Sequence, residues 1–209
     1  HPDSVTFVRS LEEDLMRRDF TINALAVNDK EEIVDYFGGI EDLEREIIRC
    51  VGNPMERFNE DALRMMRAVR FAGQLGFTIE SDTFNAIRTL KANLERVAVE
   101  RMKVEFEKMI LSPHRALAFK AFVESELYHS CPDFKEAKET LLKLGEFPLE
   151  KMTITQAWIL FAYYEQLTVP QLRKVLKDWK SSNDQISTIL TGYQTLLARL
   201  EKEWDAFLA

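Results

Sequence analysis

The chain has few of the residues that mark secreted, metal-stapled or membrane proteins. Only two of its 209 residues are cysteine, Cys50 and Cys131, and no Cys/His cluster accompanies them. Neither a disulfide framework nor a zinc site is therefore predicted. No run approaches the roughly 18 apolar residues that a membrane-spanning helix needs, and the N-terminus lacks a charged-then-apolar signal pattern. These absences predict a soluble protein of the reducing cytoplasm, without a membrane partner.

The chain also lacks an excess of positive charge. Its formal net charge is −7, which argues against nucleic-acid binding through the net field, because counterion release needs many basic groups facing phosphates. The basic residues are unevenly distributed, since residues 1–110 hold 12 Arg and 4 Lys while residues 111–209 hold 3 Arg and 9 Lys. Arginine is the planar, bidentate donor suited to phosphates and base edges. The first half is therefore predicted to be the recognition half, although arginine is also an ordinary helix former.

Hydrophobic residues make up 46% of the chain and aromatic residues 11%, enough for a substantial core. Alternating and β-branched residues predict strands over 4–10, 20–27 and 31–37, the last two joined by a polar turn. Helical spacing predicts a helix over 11–19 and helical structure from residue 40 onward, with helices over 59–75, 81–94 (Ser81 as N-cap) and 98–111. The predicted fold class is mainly α with a small β-containing N-terminal portion.

A ladder of arginines stands out in the stretch NEDALRMMRAVRFA at 59–72. Arg64, Arg67 and Arg70 recur every three residues behind the acidic pair Glu60 and Asp61. On a continuous helix, at ~100° per residue, the apolar residues fill one arc and the arginines an adjacent one, with Asp61 in the first turn beside Arg64. The ordinary interpretation of Asp61 and Arg64 is an exposed i,i+3 ion pair worth about 0.2 to 0.5 kcal/mol.

A carboxylate beside a guanidinium has a second use in base recognition. Cytosine and adenine both carry an exocyclic amino group beside a ring nitrogen, so a carboxylate can accept from the amino group while an arginine donates to the ring nitrogen or the neighbouring oxygen. Uracil and guanine place a carbonyl there, which leaves buried groups unpaired at a cost of about 1 to 3 kcal/mol each. One Asp/Arg pair could thus admit C and A and refuse U and G without a template.

Four stretches together resemble the class II tRNA nucleotidyltransferases, the CCA-adding enzymes, and their bacterial poly(A) polymerase relatives. They are LEEDLMRRDFTINALA, VDYFGGIEDL, RFNEDALRMMRAVRFAGQLGF and VERMKVEFEKMI. The resemblance is close over roughly residues 3–115, and beyond them only general helical character matches. It implies an enzyme that adds C, C and A to the 3′ end of tRNA from CTP and ATP. It also implies a remnant of a nucleotidyltransferase head at 1–50, a nucleotide-selecting helical neck at 51–115 and a helical body at 116–209.

The resemblance implies roles for seven nucleotide-binding residues. Arg18 resembles a nucleotide-phosphate contact, and Asp19 and Asn23 resemble residues near the ribose and the metal-bound phosphates, although a cap or a strand-end hydrogen bond would also explain the last two. Asp61 and Arg64 resemble the base-reading pair. Arg67 and Arg70 resemble further nucleotide contacts.

The resemblance also implies structural roles in two further motifs. Asp35, Gly38 and Gly39 resemble the hinge that links head to neck, where glycine allows close backbone approach and rotation. Glu105 and Lys108 fit the last motif, with a role in bracing helices. A plain i,i+3 salt bridge between Glu105 and Lys108 is the simpler interpretation of that pair.

The chain departs from the family pattern at the catalytic metals. Nucleotidyl transfer needs carboxylates that hold two Mg²⁺ ions about 3.5 to 4 Å apart, and the family takes them from an upstream DxD that this sequence lacks. The acidic stretch most similar to a DxD motif is Glu12-Glu13-Asp14, which lies on a predicted helix. We therefore expect no catalytic residue and no metal ligand in this chain, with Mg²⁺ bound by a missing upstream part of the head. The chain alone is expected to be inactive, and the tail that grips tRNA is expected to lie beyond it.

Two alternatives stay open. A bacterial poly(A) polymerase shares most of these motifs, and Ala62 within EDALR leans only weakly towards the CCA-adding side; a CC-only or A-only enzyme is a finer variant. A helical module that binds RNA or protein without chemistry is the second alternative.

Overall fold

The computed structural model describes residues 10–209, so the strand predicted over 4–10 falls outside the described residues except for Ser10. The Ser10 hydroxyl accepts a hydrogen bond from the Glu13 N–H at 3.2 Å and caps the first helix. The predicted fold class, mainly α with a small β-containing N-terminal portion, is confirmed. The elements are α1 Leu11–Met16, β1 Leu25–Val27, β2 Ile33–Asp35, α2 Gly39–Glu44, β3 Ile47–Ile48, α3 Pro54–Glu60, α4 Leu63–Leu75, β4 Thr78–Ile79, α5 Ser81–Leu90, α6 Val99–Ile110, α7 Arg115–Glu124, α8 Lys138–Glu146, α9 Ile154–Tyr164, α10 Val169–Asp178 and α11 Asn183–Leu208.

The predicted strand pair forms an antiparallel hairpin, in which Ala26 of β1 lies opposite Val34 of β2. Its turn is held by the Asn28 side chain, whose Oδ1 accepts from the backbone N–H groups of Lys30 and Glu32, the local bonding typical of turn asparagines. The first strand is shorter than predicted because Thr21–Asn23 forms a 3₁₀ turn.

The helical structure predicted from residue 40 onward is interrupted. Helix α2 ends at Glu44, and Ile47 and Ile48 form strand β3, which pairs in parallel with β4. The partner strand lies about thirty residues further along the chain, so the local hydrophobic pattern cannot predict the pairing.

The single helix predicted over 59–75 is wrong, because two helices meet at Asp61 and Ala62. Asp61 has an extended backbone with φ −147° and ψ 104°, and its Oδ1 accepts a hydrogen bond from the Leu63 N–H at 3.1 Å. This bond offers the backbone an alternative to the helical pattern, as aspartate side chains often do at helix ends. Helix α4 ends as expected at Gly76, whose φ of +71° is left-handed.

The core of the C-terminal half is aromatic. Phe106 of α6 lies 5.0 Å from Trp179 and 5.1 Å from Phe134 between ring centroids, and Trp158 packs at 5.7 Å. All four rings are buried, so Trp158 and Trp179 serve packing rather than an exposed surface. Among residues 10–209, no helix is long and apolar enough to cross a membrane.

Candidate nucleotide-binding site

A cleft of about 530 Å³ opens between α1 and the junction of α3 with α4. We call it the α1–α4 cleft. Its lining is rich in charge, with three arginines and two glutamates. The residues are Glu13, Met16, Arg17, Arg57, Glu60 and Arg64.

Arginines tie the two sides of this cleft together. Arg57 Nη1 donates to the Met16 carbonyl at 3.0 Å, and Arg64 Nη2 donates to the Arg17 carbonyl at 3.3 Å. Glu60 accepts from both guanidinium groups, at 3.0 Å from Arg57 and 2.8 Å from Arg64. The cleft therefore presents fixed guanidinium groups, the donor type that suits phosphates and base edges.

The predicted base-reading residues lie beside one another without pairing directly. Arg64 bonds Glu60 and the carbonyl of Arg57, whereas the Asp61 carboxylate bonds the Leu63 N–H and, through Oδ2, the Nη2 of Arg101 at 3.1 Å. About a third of the Asp61 side chain is exposed. The carboxylate is thus accessible, and its nearest guanidinium partner is Arg101 rather than Arg64.

The second arginine of the ladder reaches back to the RRDF motif. Arg67 Nη1 lies 2.9 Å from Asp19 Oδ2, and Asp19 Oδ1 accepts from the Asn23 amide at 2.7 Å. Asn23 Oδ1 accepts in turn from the Phe20 N–H at 3.2 Å. Asp19 is 4% exposed, so its carboxylate fixes the 3₁₀ turn and Arg67 in this structure, while Arg18 beside it is exposed.

Arg70 takes part in the contact between α4 and α6. Its guanidinium is buried and forms an ion pair with Glu105 of α6, a second bond to Gln74 at 2.9 Å, and a contact 4.4 Å above the Phe71 ring. Arg70 therefore packs α4 against α6 in this structure, and its role as a nucleotide contact stays a prediction.

The same pair replaces the salt bridge that the spacing favoured between Glu105 and Lys108. Because the Glu105 carboxylate faces Arg70 beneath the surface, it does not form the i,i+3 salt bridge with Lys108 that the spacing favoured. Lys108 is exposed. The ladder as a whole thus uses a different carboxylate for each guanidinium: Glu60, Asp19 and Glu105.

The motif predicted as a hinge is built around one carboxylate. Asp35 accepts from the backbone N–H groups of Gly39 at 2.9 Å and Ile40 at 3.0 Å. Burial raises the pKa of Asp35, but hydrogen bonds from Ile40, Gly39 and neighbouring N–H groups outweigh it, so the pKa lies below its ordinary value. Gly38 has a left-handed φ of +77°, and a side chain at Gly39 would collide with the Thr21 carbonyl.

The described residues do not by themselves fit a metal centre. Among residues 10–209, no group of three or more His, Cys, Asp or Glu side chains is arranged to hold a metal ion. Asp19, the acidic residue nearest to the predicted phosphate contacts, is already engaged by Arg67 and Asn23.

Sequence reasoning missed three residues of this region. Arg17 and Arg57 line the α1–α4 cleft, and Arg101 holds Asp61. The Nε–H groups of Arg57 and Arg67 are buried and find no acceptor within residues 10–209, which is unusual for buried donors. The arginine excess of the first half was the available signal, but spacing alone did not identify these members.

Three stretches of the chain match models of known protein families. Residues 1–49 match the family model described as "Poly A polymerase head domain", and residues 76–138 match "Probable RNA and SrmB-binding site of polymerase A". Residues 149–209 match a model of tRNA nucleotidyltransferase domain 2.

Individual relatives are similar over nearly the whole chain. The CCA-adding enzyme of Enterococcus faecalis (strain ATCC 700802 / V583) is 47% identical over 208 residues, which are 99% of this chain and 51% of the relative. The CCA-adding enzyme of Limosilactobacillus fermentum (strain NBRC 3956 / LMG 18251) is 50% identical over 188 residues, or 90% of this chain and 47% of the relative. The chain thus spans about half the length of the curated relatives it matches.

A solved structure shares the fold. The crystal structure of the Bacillus stearothermophilus CCA-adding enzyme in complex with CTP superposes with a TM-score of 0.83 at 38% identity, covering 94% of this chain and 48% of that one. Three family models in order along the sequence, relatives at 47 to 50% identity and a shared fold point to one family. The chain belongs to the family of class II tRNA nucleotidyltransferases and bacterial poly(A) polymerases.

Proposed function

We propose that this chain is part of a template-independent RNA nucleotidyltransferase that adds CCA to the 3′ end of tRNA from CTP and ATP, and that it supplies recognition of the nucleotide. The observation that carries the proposal is the placement of Asp61 and Arg64 at the α3–α4 junction, with Arg64 in the wall of the α1–α4 cleft. The relatives named CCA-adding enzymes, at 47 to 50% identity, support it.

The chemistry of selection follows from the two side chains. The Asp61 carboxylate accepts from the exocyclic amino group of cytosine or adenine, and Arg64 donates to the adjacent ring nitrogen or oxygen. Uracil and guanine present a carbonyl oxygen to the carboxylate, which repels it and leaves both groups unpaired, at about 1 to 3 kcal/mol each. Arg64 is held by Glu60 and two backbone carbonyls, so the donor is already oriented.

The remaining assignments form part of the same proposal. Arg18 and Arg67 contact the nucleotide, and Asp19, held by Asn23, positions Arg67 near the ribose and the metal-bound phosphates. The segment divides into head remnant at 1–50, neck at 51–115 and body at 116–209. The family's divalent metal is proposed to be Mg²⁺. Its ligands are assigned to carboxylates of the head that lie outside residues 10–209.

A basic surface in the C-terminal half supports tRNA as the partner. A cleft of about 310 Å³ there has Arg173 and Lys177 of α10 in one wall, and no residue that lines it is acidic. Its other wall carries hydrogen-bonding side chains of α11, namely Asn183, Ser187, Thr191 and Gln194. Cations and neutral donors together suit RNA phosphates.

The test offers tRNA that lacks CCA, with all four nucleotides, to a longer polypeptide that contains this chain and spans the full length of its relatives. Incorporation that stops after C, C and A supports the proposal, and a long A tract indicates a poly(A) polymerase instead. Asp61→Ala is expected to relax selection against UTP and GTP. Unchanged discrimination in that variant would overturn the base-reading role.

A further inference from the structure

The family motifs imply no role for Arg101, yet its guanidinium contacts the Asp61 carboxylate. It lies in the first turns of α6, forty residues beyond Asp61, and its Nη2 lies 3.1 Å from Asp61 Oδ2. We propose that Arg101 is a positioning residue for nucleotide selection, which holds the Asp61 carboxylate in the orientation that reads the base. The inference rests on the proposed function.

The bonding of Asp61 shows why a second anchor is needed. Its Oδ1 is fixed by the Leu63 N–H, but this single bond leaves the carboxylate free to swing about it. The bond from Arg101 to Oδ2 removes that freedom. A carboxylate offers about four lone-pair positions, so two acceptor positions stay available for the amino group of a base while Leu63 and Arg101 remain bound.

The helix that carries Arg101 is itself anchored. Glu105 lies one turn further along α6, on the same face as Arg101 because the two are four residues apart, and it is paired with Arg70 beneath the surface. Two ion pairs therefore join α6 to the neighbourhood of the site, a buried one that fixes the helix and an outer one that reaches Asp61. The position of the Asp61 oxygen is thus set by a rigid element.

The exposure of the outer pair argues that its value is orientation rather than stability. The Arg101 side chain is 54% exposed and that of Asp61 is 34% exposed, and solvent screens ion pairs of this kind heavily. Selection between bases requires the Asp61 carboxylate to keep one orientation. A mobile carboxylate can turn away from the carbonyl oxygen of uracil or guanine, and the wrong base is then accepted.

The experiment measures kcat/KM for CTP, ATP, UTP and GTP in the longer polypeptide that spans the full length of the relatives. Arg101→Met removes the donors and keeps the length of the side chain, and Arg101→Lys keeps the charge. We expect the preference for CTP over UTP to fall roughly five- to tenfold in Arg101→Met, the range for one hydrogen bond lost from a recognition site. Arg101→Lys should recover part of the preference. Arg96→Met, an exposed arginine ahead of α6, should leave it unchanged.

A double-mutant cycle separates positioning from a general effect of charge. If Arg101 acts through Asp61, Arg101→Met adds nothing to the loss of discrimination in Asp61→Ala, because the two residues form one unit. Full selectivity in Arg101→Met, or losses that add, would overturn the inference while leaving the proposed function intact. If Asp61→Ala itself discriminates normally, the base-reading role and this inference fall together.

Discussion

The guanidinium of Arg70 and the carboxylate of Glu105 form an ion pair that joins α4 to α6, and each residue is more than nine-tenths buried. Burying one such charge without the other is costly, because neither water nor a second counter-ion can replace the missing partner. The pair therefore holds the nucleotide-selecting helix against the helix that carries Arg101.

Breaking this pair should destabilise the chain strongly. Arg70→Met and Glu105→Met are each expected to lower the free energy of unfolding by about 3 to 5 kcal/mol, since each leaves a buried charge unpaired. The double variant should recover much of that loss, because two apolar side chains leave no orphaned charge. Urea unfolding of the chain measures the effect.

The matched control for this prediction is Arg88→Met. Arg88 forms an exposed pair with Glu126 at 3.6 Å, and its loss should change stability by less than about 0.5 kcal/mol. A cost for Arg70→Met as small as that of Arg88→Met would contradict the role given to the buried pair.

The glycine pair at the start of α2 should respond unequally to alanine. Gly39→Ala places a methyl group against the Thr21 carbonyl, so α2 must move away from the 3₁₀ turn that carries Asn23. Gly38→Ala meets open space but must hold a φ of +77°, at a cost of roughly 1 to 2 kcal/mol. Gly39→Ala should therefore lower the urea midpoint further than Gly38→Ala, and equal midpoints would argue against the close approach.

The two cysteines should be unreactive in the folded chain. Burial, opposed by a hydrogen bond from Thr83, raises the pKa of Cys50 to about 12, and burial also raises the pKa of Cys131. The thiolate is the form that attacks a disulfide reagent, so dithiobis(nitrobenzoic acid) at pH 8 should modify neither residue until denaturant is added, when both react. Fast modification of one thiol in the native chain would contradict the packing described around it.

The same shifts predict a dependence of stability on pH. A pKa that is raised on folding contributes stability that is complete below the unfolded value of about 8.5 and is lost as pH rises towards the folded value. Burial raises the pKa of Tyr193 as well, which acts in the same direction. The urea midpoint should therefore be lower at pH 10 than at pH 8, and a constant midpoint would contradict the shifts.

The sequence predicted the elements whose signals are local. The hairpin follows from alternation and from the Asn28 turn, and the end of α4 follows from Gly76, since turn and cap residues act on their own neighbours. The break at Asp61 was missed because its neighbours on both sides favour a helix, and one side-chain bond to Leu63 decides the outcome.

The sequence predicted which residues form the candidate site but not which of them bind one another. The motifs identified Asp19, Asp61 and the arginine ladder, yet the partners of these residues lie far along the chain. Arg67 meets Asp19 across 48 positions and Arg101 meets Asp61 across 40. Such pairs depend on how helices pack, and helical periodicity describes each helix separately.

Arg173 and Lys177 give the cleft between α10 and α11 a positive charge. Replacing both Arg173 and Lys177 with glutamine should weaken binding of tRNA and reduce the slope of log K against log salt by about 1 to 2, because up to two phosphate contacts no longer release counterions. Titration of labelled tRNA at several salt concentrations measures both quantities. The control replaces Lys135 and Lys138, which are also exposed, and should change the slope little. Equal effects of the two pairs would mean that the cleft acts only through overall charge, and no effect of either pair would place the RNA elsewhere on the protein.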